Sequence, residues 1–259
     1  MKLISTILSA TVALAISSST LMANEKGLHW GYTGHNSPAS WASLSPDNKM
    51  CGLGKNQSPI NIKTTLHIAL DEIKIQYNGS SKNVIDNGHT IQVNMDKDNN
   101  IVLDGVKYNL KQFHFHTPSE NRIDGKAFPL EAHFVHLDKD GNIAVVALMF
   151  EEGKENKELS KIWNKMPTKE GDTNELKLKD IASNLLPKNM EHYHFNGSLT
   201  TPPCTEGVKW IVLKTPVNIS KEQVEQFLHT MHHANNRPVQ PINARVIIDW
   251  NAQATVTPP

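Results

Sequence analysis

Apolar and polar residues alternate with a period of two through much of the middle of the chain, and this pattern predicts strands. Residues 89–95 alternate in this way, and the continuous apolar run 143–150 has the length of a strand buried on both faces. Asp-Gly pairs at 104–105 and 140–141 separate such segments and favour the tight turns of β-hairpins. Further strands are predicted at 209–213 and 245–248.

Two segments instead carry apolar residues at helical spacing, one after Asn156 and one after Ser220. In the second, Gln223 stands three residues after Ser220, which is the spacing of a capping box. Each stripe is expected to pack against a sheet. The stripes consist of Leu159, Ile162, Trp163 and Met166, and of Val224, Phe227, Leu228 and Met231.

The N-terminus combines an early lysine, Lys2, with a short apolar stretch and small residues that end near Ala23. This is the pattern of a secretory signal peptide, so we expect residues 1–23 to be cleaved. No second apolar run approaches the ~18 to 20 residues that a membrane helix needs. Residues 24–259 contain no repeat and no flexible linker, which predicts a single mature domain that is periplasmic or secreted. Its tail from 253 to 259 is expected to be loose.

Charge excludes one class of function. The 26 lysine and arginine residues balance the 26 aspartate and glutamate residues, so the formal net charge is zero. A nucleic-acid binder needs a basic excess that releases phosphate counterions, and none is available here. A small, neutral partner fits this composition better.

The strongest chemical signal is Gln-Phe-His-Phe-His at 112–116, followed by Leu-Glu-Ala-His-Phe-Val-His at 130–136. In a strand, His114 and His116 share one face while the phenylalanines share the other. If the two strands are neighbours, His133 supplies a third nitrogen. Three imidazoles with a vacant fourth position are typical of a catalytic zinc site.

Two further residues strengthen the metal interpretation. Gln112 and Glu131 each precede a histidine by two residues on the same strand face, and metal-bound histidines usually donate their second ring nitrogen to such oxygens. A single His-x-His segment would be explained as well by ordinary strand histidines. The complete set makes zinc ligation the better explanation.

These motifs, taken together, resemble the alpha-class carbonic anhydrases of the bacterial, secreted kind. The matching segments occur in the family's order and cover most of the mature chain. They are residues 29–32, 57–62, 87–89, 112–116, 131–136, 197–207 and 236–241.

The resemblance implies a mainly β protein with a few short helices, built around a large, mostly antiparallel, twisted sheet with zinc in a cone-shaped cavity. It implies reversible hydration of carbon dioxide to bicarbonate and a proton, by a hydroxide generated at one zinc ion, with weak esterase activity as a side reaction. Sulfonamides and anions are the inhibitors it implies, and a homodimer is compatible with it. The implied ligands are His114, His116 and His133.

Roles for other residues also come from the resemblance. His89 is the implied proton shuttle, for which an ordinary imidazole pKa of ~6.5 would be suitable. Thr200 and Glu120 would orient the nucleophile, and the backbone N–H of Thr200 would hold a substrate oxygen or an anion. The implied substrate pocket comprises Val135, Val145, Leu199, Thr201 and Trp210, and the implied water network comprises Tyr32, Asn87 and Gln92.

Cys51 and Cys204 are the two cysteines of the chain, and in an exported protein such a pair predicts a disulfide. In the family, this bond joins the N-terminal arm to the active-site loop. Two departures from vertebrate members are visible: Thr117 replaces a common tryptophan, and Gln92 replaces a common asparagine. Both concern inhibitor profile and rate, because neither belongs to the ligand set.

Three other functions are compatible with parts of the sequence. A non-catalytic binding relative would lack a ligand histidine, whereas all three are present. An exported zinc esterase would need more room than a valine-lined wall leaves. A periplasmic metal buffer is suggested by the 13 histidines, but those outside the site, such as His232 and His233, form no second ligand set in the sequence.

Overall fold

The computed structural model describes residues 29–63, 65–67 and 73–250. The predicted signal peptide and the tail from 253 to 259 lie outside the described residues. The strands are β1 (Asn61–Ile62), β2 (Leu66–His67), β3 (Lys74–Tyr77), β4 (Ser81–Asp86), β5 (Ile91–Met95), β6 (Asn99–Leu103), β7 (Val106–His116), β8 (Arg122–Ile123), β9 (Leu130–Leu137), β10 (Ile143–Glu152), β11 (Thr173–Glu175), β12 (His192–Ser198), β13 (Glu206–Leu213), β14 (Val217–Ile219) and β15 (Ile248–Trp250). The α-helices are α1 (Trp41–Leu44), α2 (Met50–Leu53), α3 (Lys157–Trp163), α4 (Ile181–Leu185) and α5 (Lys221–Met231), and 3₁₀ turns cover Gly34–Asn36 and Pro46–Lys49.

One large sheet contains 13 of the described strands, in the order β11-β4-β5-β7-β9-β10-β13-β12-β15-β2 with β3, β6 and β14 attached beside this path. Most neighbouring strands run antiparallel, and the parallel pairs in this sheet are β10 with β13, β10 with β14, and β15 with β2. The predicted fold class, mainly β around a mostly antiparallel sheet, is confirmed. None of the helices in the described part of the chain has both the length and the apolar character that a membrane span requires.

Both predicted hairpins are present. Asp104 and Gly105 join β6 to β7 with positive φ angles, and Gly141 has a φ of 85° between β9 and β10. In the second turn, the Asp138 carboxylate accepts hydrogen bonds from the backbone N–H of Asp140 and of Asn142, each at 2.8 Å. These turns pair β6 with β7 and β9 with the buried central strand β10. The histidine strand β7 also pairs with β9, across a longer connection.

The apolar face of β7 forms the core behind the histidines. Phe113 and Phe115 are fully buried, and Phe115 meets the Trp163 ring of α3 edge-on at 4.8 Å. Trp163 in turn stacks on Phe227 of α5 at 5.6 Å. The predicted capping box of α5, made by Ser220 and Gln223, is present, and the Asn156 side chain caps α3. Two helices thus support the strand that carries two histidines.

Three boundaries differ from the sequence-based expectation. Strand β15 covers 248–250 and not 245–248, because Arg245 closes a turn by donating from its N–H and its Nε to the carbonyl of Ile242. Met166 lies beyond the end of α3, although it packs against the core. Leu228 was predicted to face the sheet but is 41% exposed, because it lies at the edge of the buried face of α5.

Cys51 and Cys204 form the predicted disulfide, which joins α2 to the loop that follows β12. The bond closes a loop with a sequence separation of 153 residues. In the chain-entropy model, a loop of this length stabilises the folded state by about 5 kcal/mol. The cross-link therefore fixes the N-terminal helices against the middle of the chain.

Candidate metal centre and surrounding cavity

The three predicted ligand histidines converge on one point at the centre of the sheet. His114 and His133 lie directly opposite each other in the antiparallel pair β7–β9, and His116 lies two residues further along β7. One nitrogen from each ring lies within 4.8 Å of the other two. Among the residues that the structure describes, this is the one group of His, Cys, Asp or Glu side chains arranged closely enough to hold a metal ion.

Each ring is oriented by a partner on its other nitrogen. The Nδ1–H of His114 donates to Oε1 of Gln112 at 2.8 Å, and the Nδ1–H of His116 donates to the carbonyl of Asn235 at 2.7 Å. Nε2 of His133 lies 2.9 Å from Oε1 of Glu131, although the angle departs from hydrogen-bond geometry. The nitrogens left for a ligand are therefore Nε2 of His114, Nε2 of His116 and Nδ1 of His133.

This arrangement passes a simple test for zinc. Nε2 of His116 is buried and has no hydrogen-bond partner among the described residues, which is costly unless an ion or a water molecule binds there. Zinc prefers neutral imidazole nitrogens, with three protein ligands in catalytic sites. Buried imidazoles with one oriented N–H and one free nitrogen supply that donor set.

The electrostatics of the rings favour the neutral form. Burial lowers the pKa of His114 and of His133 well below the ordinary value, and the neighbouring imidazoles lower both further. Burial also lowers the pKa of His116, although the Asn235 carbonyl and the Glu131 carboxylate oppose the shift. Neutral rings are the metal-binding form, because protonation would occupy the free nitrogen.

Glu131, the second predicted orienting residue, is completely enclosed. Its Oε2 accepts from the backbone N–H of Glu120 at 2.7 Å and of Asn121 at 2.8 Å, and its Oε1 accepts from Nδ2 of Asn121 at 2.7 Å. Burial raises its pKa to about 7, while the Asn121 hydrogen bonds and the His116 charge lower it. The same carboxylate therefore positions His133 and the chain around Glu120.

Glu120 lies beside the free nitrogens. Its Oε2 is 3.5 Å from Nε2 of His116 and 3.8 Å from Nδ1 of His133. Burial raises its pKa to about 8, against the Arg237 backbone N–H, which donates at 2.8 Å, and the Thr200 hydroxyl, which is close enough to lower the pKa. A cation held by the imidazoles would lower it further, because an opposite charge within ~4 to 6 Å favours the carboxylate.

Thr200 occupies a loop that is closed by its own backbone. The N–H of Leu199 donates to the Thr205 carbonyl at 2.9 Å, and the N–H of Cys204 donates to the Thr201 carbonyl at 2.8 Å. Thr200 is buried, and its neighbour Thr201 lines the cavity above the histidines. The disulfide at Cys204 anchors this loop, and the Thr200 side chain lies within hydrogen-bonding reach of Glu120.

The predicted apolar wall follows the sheet register. Val135, Val145 and Trp210 lie side by side on β9, β10 and β13. The Trp210 ring meets His133 edge-on at 4.9 Å, and its indole N–H donates to the Ser198 carbonyl at 3.0 Å. Leu199 packs against the same apolar cluster. One side of the metal centre is therefore apolar.

A cavity of about 140 Å³ opens above the histidines. Its lining includes the predicted water-network residues Tyr32, Asn87 and Gln92. The Tyr32 hydroxyl is buried and has no hydrogen-bond partner among the described residues, so it is available to water. Asn87 also organises the turn before β5, because its Oδ1 accepts from the backbone N–H of His89 at 3.0 Å and of Thr90 at 2.9 Å.

His89 lines the same cavity, but its environment differs from the expectation. Its ring stacks on Trp30, with 3.7 Å between the centroids and 11° between the planes. Burial lowers its pKa to about 4, with smaller contributions from His29 and His233 and an opposing one from Asp86. The assumption of an ordinary imidazole pKa is therefore wrong for this residue.

Sequence reasoning missed two residues that hold the site together. Asn235 supplies the carbonyl that orients His116, and Arg237 supplies the N–H that binds Glu120. The buried Arg237 guanidinium also donates to Gln57, to the Ser58 carbonyl and to the Cys51 carbonyl. Arg237 lies in the matched segment 236–241, which was the available signal; nothing local pointed to Asn235.

Comparisons with known proteins agree with this site. The family model for eukaryotic-type carbonic anhydrase matches residues 36–250. A carbonic anhydrase of Neisseria gonorrhoeae is 51% identical over 243 residues, which are 93% of this chain and 96% of that protein. A carbonic anhydrase of Pectobacterium carotovorum is 47% identical over 238 residues, which are 92% of this chain and 98% of that protein.

A solved structure gives the same answer for the fold. The complex of alpha-carbonic anhydrase from Thermovibrio ammonificans with the inhibitor sulfanilamide superposes with a TM-score of 0.84 at 50% identity, covering 86% of this chain and all of that one. The activity of the family is the hydration of carbon dioxide. The chain therefore belongs to the alpha-class, or eukaryotic-type, carbonic anhydrase family of lyases.

Proposed function

We propose that the protein catalyses the reversible hydration of carbon dioxide to bicarbonate and a proton in a zinc-dependent reaction at the three-histidine centre. One observation carries the proposal. Three neutral imidazoles, each fixed through its second nitrogen, converge beside an apolar wall and a buried Thr-Glu pair. That combination suits a small apolar substrate and a nucleophile generated from water.

His114, His116 and His133 would hold one zinc ion. In carbonic anhydrases, the established contribution of such an ion is to lower the pKa of a water molecule to about 7. The protein supplies ligand orientation through Gln112, the Asn235 carbonyl and Glu131. Because these partners fix the rings before metal binds, little rearrangement is needed when it does.

The Thr-Glu pair orients the nucleophile. An ionised Glu120 can only accept hydrogen bonds, so it takes the proton of the Thr200 hydroxyl. The threonine oxygen is then left to accept a hydrogen bond from the nucleophile. A bound group that has no hydrogen to donate to the Thr200 oxygen is therefore disfavoured. A sulfonamide nitrogen that keeps one hydrogen can donate it and is favoured. The inhibitor named for the Thermovibrio ammonificans relative, sulfanilamide, supports this discrimination.

The apolar wall binds the gas. Carbon dioxide carries no net charge and gains from displacing poorly bonded water beside Val135, Val145 and Leu199. Backbone N–H donation from Thr200 would hold one substrate oxygen, and the same donor would hold inhibiting anions. The proton released by the reaction leaves through the cavity past His89.

Stopped-flow hydration of carbon dioxide by the zinc-loaded protein 24–259 tests the proposal, with and without sulfanilamide. We expect fast hydration at one zinc ion per chain, abolished by sulfanilamide. The variant His133→Ala is the control: it should lose both zinc and hydration. Zinc bound at one ion per chain without hydration of carbon dioxide would contradict the proposal. The three histidines would then bind zinc as proposed, but the protein would not catalyse the proposed reaction.

The same preparation separates the two remaining functions. A metal buffer would bind several zinc ions per chain, whereas the described residues offer one ligand set. An esterase would turn over nitrophenyl acetate faster than carbon dioxide. We expect ester turnover to be the weak side reaction, because the valine wall leaves little room for an acyl group.

Export is a further part of the proposal. Lys2, the apolar stretch that follows and Ala23 support a cleaved signal peptide, and the disulfide is of the kind that persists in oxidising compartments. Mass spectrometry of protein recovered from the periplasm or the medium should give an N-terminus near residue 24. An intact Met1 in a cytoplasmic fraction would contradict export.

The physiological task that we propose is exchange of carbon dioxide and bicarbonate outside the cytoplasm, for pH balance or carbon supply. Growth of a deletion strain across carbon dioxide levels tests this proposal.

A further inference from the structure

The turn that carries His89 separates two concave surfaces. On one side lies the cavity above the three histidines, which His89 lines. On the other lies a groove of about 380 Å³, which is lined by Asp86, Gly88, Lys169, Glu170, His232 and His233 among others. Gly88 itself has a φ of 80° and approaches Glu170 so closely that a side chain at this position would collide with that carboxylate. Residues 86–90 of one turn thus line both the cavity and the groove.

His89 is poorly suited to act alone as the proton acceptor. Its ring is stacked on Trp30, and its pKa is lowered to about 4, first by burial. Both the stacking and the lowered pKa make this ring a weaker acceptor for a proton released at the metal centre. A second acceptor near His89 would give the proton another route to buffer.

His233 lies where such an acceptor is needed. Its ring centroid is 6.0 Å from that of Tyr32, which lines the cavity, and the ring is near enough to His89 for the two to interact electrostatically when protonated. Its Nδ1–H donates to the Ala234 carbonyl at 3.0 Å. Nε2 is therefore the unprotonated nitrogen and is available to accept a proton.

The position of His233 is fixed relative to the metal centre. Two residues later, the Asn235 carbonyl accepts from His116 and the Asn235 side chain donates to the carbonyl of His89 at 3.0 Å. The segment 233–235 is consequently tied to a ligand strand and to the His89 turn at once. Its distance from both is set by buried hydrogen bonds and not by a mobile loop.

We infer that His233 is a second proton acceptor for the reaction at the three-histidine centre and passes the proton to small basic buffers in the groove beside the His89 turn. The inference rests on the proposed function. A proton taken up at Nε2 of His233 leaves from the same atom to the buffer base, so the imidazole returns to its neutral state. The carboxylates of Asp86 and Glu170 in the groove suit a buffer that leaves as a cation.

Exchange of ¹⁸O between carbon dioxide and water, followed by mass spectrometry, tests the inference in the zinc-loaded protein. It yields two rates: interconversion of carbon dioxide and bicarbonate, and release of labelled water, of which only the second needs a proton. For His233→Ala we expect water release to fall more than about threefold with interconversion unchanged. Added imidazole should restore water release.

His229→Ala is the matched control, because this histidine lies in the last turn of α5, just before His233 in the chain, and lines neither concavity. It should leave both rates unchanged. Unaltered water release in His233→Ala would overturn the inference. So would a loss of water release that occurs only in His29→Ala, because His29 is the other histidine that acts on His89. Absence of interconversion in the parent protein would instead contradict the proposed function, so the two failures are distinguishable.

A second measurement does not depend on activity. The protonated His233 lowers the pKa of His89, so His233→Ala should raise the NMR titration midpoint of the His89 ring while His229→Ala does not. An unchanged midpoint would mean that the two rings do not communicate. That result would also overturn the inference.

Discussion

Asn235 connects parts of the site that are far apart in sequence. Its Oδ1 accepts from the backbone N–H of Thr117 at 2.8 Å, and its Nδ2 donates to the carbonyls of Phe115 and His89. Its own carbonyl orients His116. One fully buried amide thus fixes the end of the histidine strand and the His89 turn, without binding metal or substrate.

Replacing this residue should loosen the metal centre. In Asn235→Ala, the buried Thr117 N–H and the partly buried His89 carbonyl lose this partner, while the Phe115 carbonyl keeps its bond from Thr90. We expect this to cost about 2 to 4 kcal/mol of unfolding free energy. Zinc affinity should fall about 10- to 100-fold, as is usual when the residues behind a ligand change. Denaturant unfolding and chelator competition measure the two effects. Asn236→Ala, at the half-buried neighbouring position, should change neither.

Thr200 gives a sharper test of the chemistry. In Thr200→Ala the nucleophile loses its hydrogen-bond acceptor, so we expect hydration to fall about a hundredfold. Zinc content should be unchanged, because Thr200 is not a ligand. Thr200→Ser keeps the hydroxyl and should retain most of the rate. Equal losses in both variants would show that packing, and not the hydroxyl, is what matters at this position.

At the scale of single residues, the sequence was enough to predict which strand residues share the face of the site. It was not enough to predict their pKa values. Strand alternation places His114 and His116 on one face, and Gln112 and Glu131 each follow from a spacing of two. The low pKa of His89 depends first on burial, and neither that burial nor the Trp30 ring stacked on this histidine is visible in Asn-Gly-His.

At the scale of elements, helices α3 and α5 support the histidine strand from behind. Phe227 is fully buried and stacks on Trp163, which in turn contacts Phe115 between the two ligand positions of β7. The metal centre is therefore built on a strand whose opposite face is packed aromatic core. Movement of either helix would be transmitted to the ligands through those rings.

Two adjacent residues of α5 provide the test. Phe227→Ala should lower the free energy of unfolding by about 3 to 5 kcal/mol, the usual cost of truncating a buried phenylalanine. Leu228→Ala should cost under about 1 kcal/mol, since that side chain is 41% exposed. Urea unfolding monitored by circular dichroism measures both. Similar losses would mean that helix propensity, and not burial, determines the effect.

Most elements could be predicted because their signals are local. The Asp-Gly turns, the capping box at Ser220 and the apolar run of β10 each specify their own backbone. The pairing of strands could not be predicted in the same way, because it depends on contacts that are distant in sequence. For example, β5 pairs with β7 although β6 lies between them in sequence. Leu228 shows the same limit, because helical spacing identifies a stripe but not its edge.

For the whole molecule, buried neutral histidines make the free energy of unfolding depend on pH. His136 is the clearest case outside the site. Its Nδ1–H donates to the Ala144 carbonyl at 3.2 Å, its Nε2 accepts from the Tyr77 hydroxyl at 2.7 Å, and burial lowers its pKa to about 3. Both ring nitrogens have a hydrogen-bond partner only while the imidazole is neutral, because a protonated Nε2 could not accept from Tyr77.

Acid should therefore destabilise the fold through His136. Its folded pKa is below the ordinary 6.5, so the unfolded chain binds more protons between pH 6.5 and 3, and stability is lost as the pH falls through this window. One such group contributes about 1.4 kcal/mol per pH unit. Urea unfolding of Tyr77→Phe/His136→Leu between pH 6 and 4 should show a slope shallower by that amount. Tyr77→Phe alone keeps the buried ring and should keep the parent slope.

The contacts that complete the site span the whole chain. The partner of His114 lies two residues away and that of His133 also two, whereas the partner of His116 lies 119 residues later, at Asn235. During folding, the first two rings can be oriented as soon as the β7 and β9 strands pair. The third must wait until the segment that contains Asn235 has packed against the end of β7. A partly folded chain in which this segment is undocked thus holds only two oriented ligands, and tight metal capture becomes a late folding event.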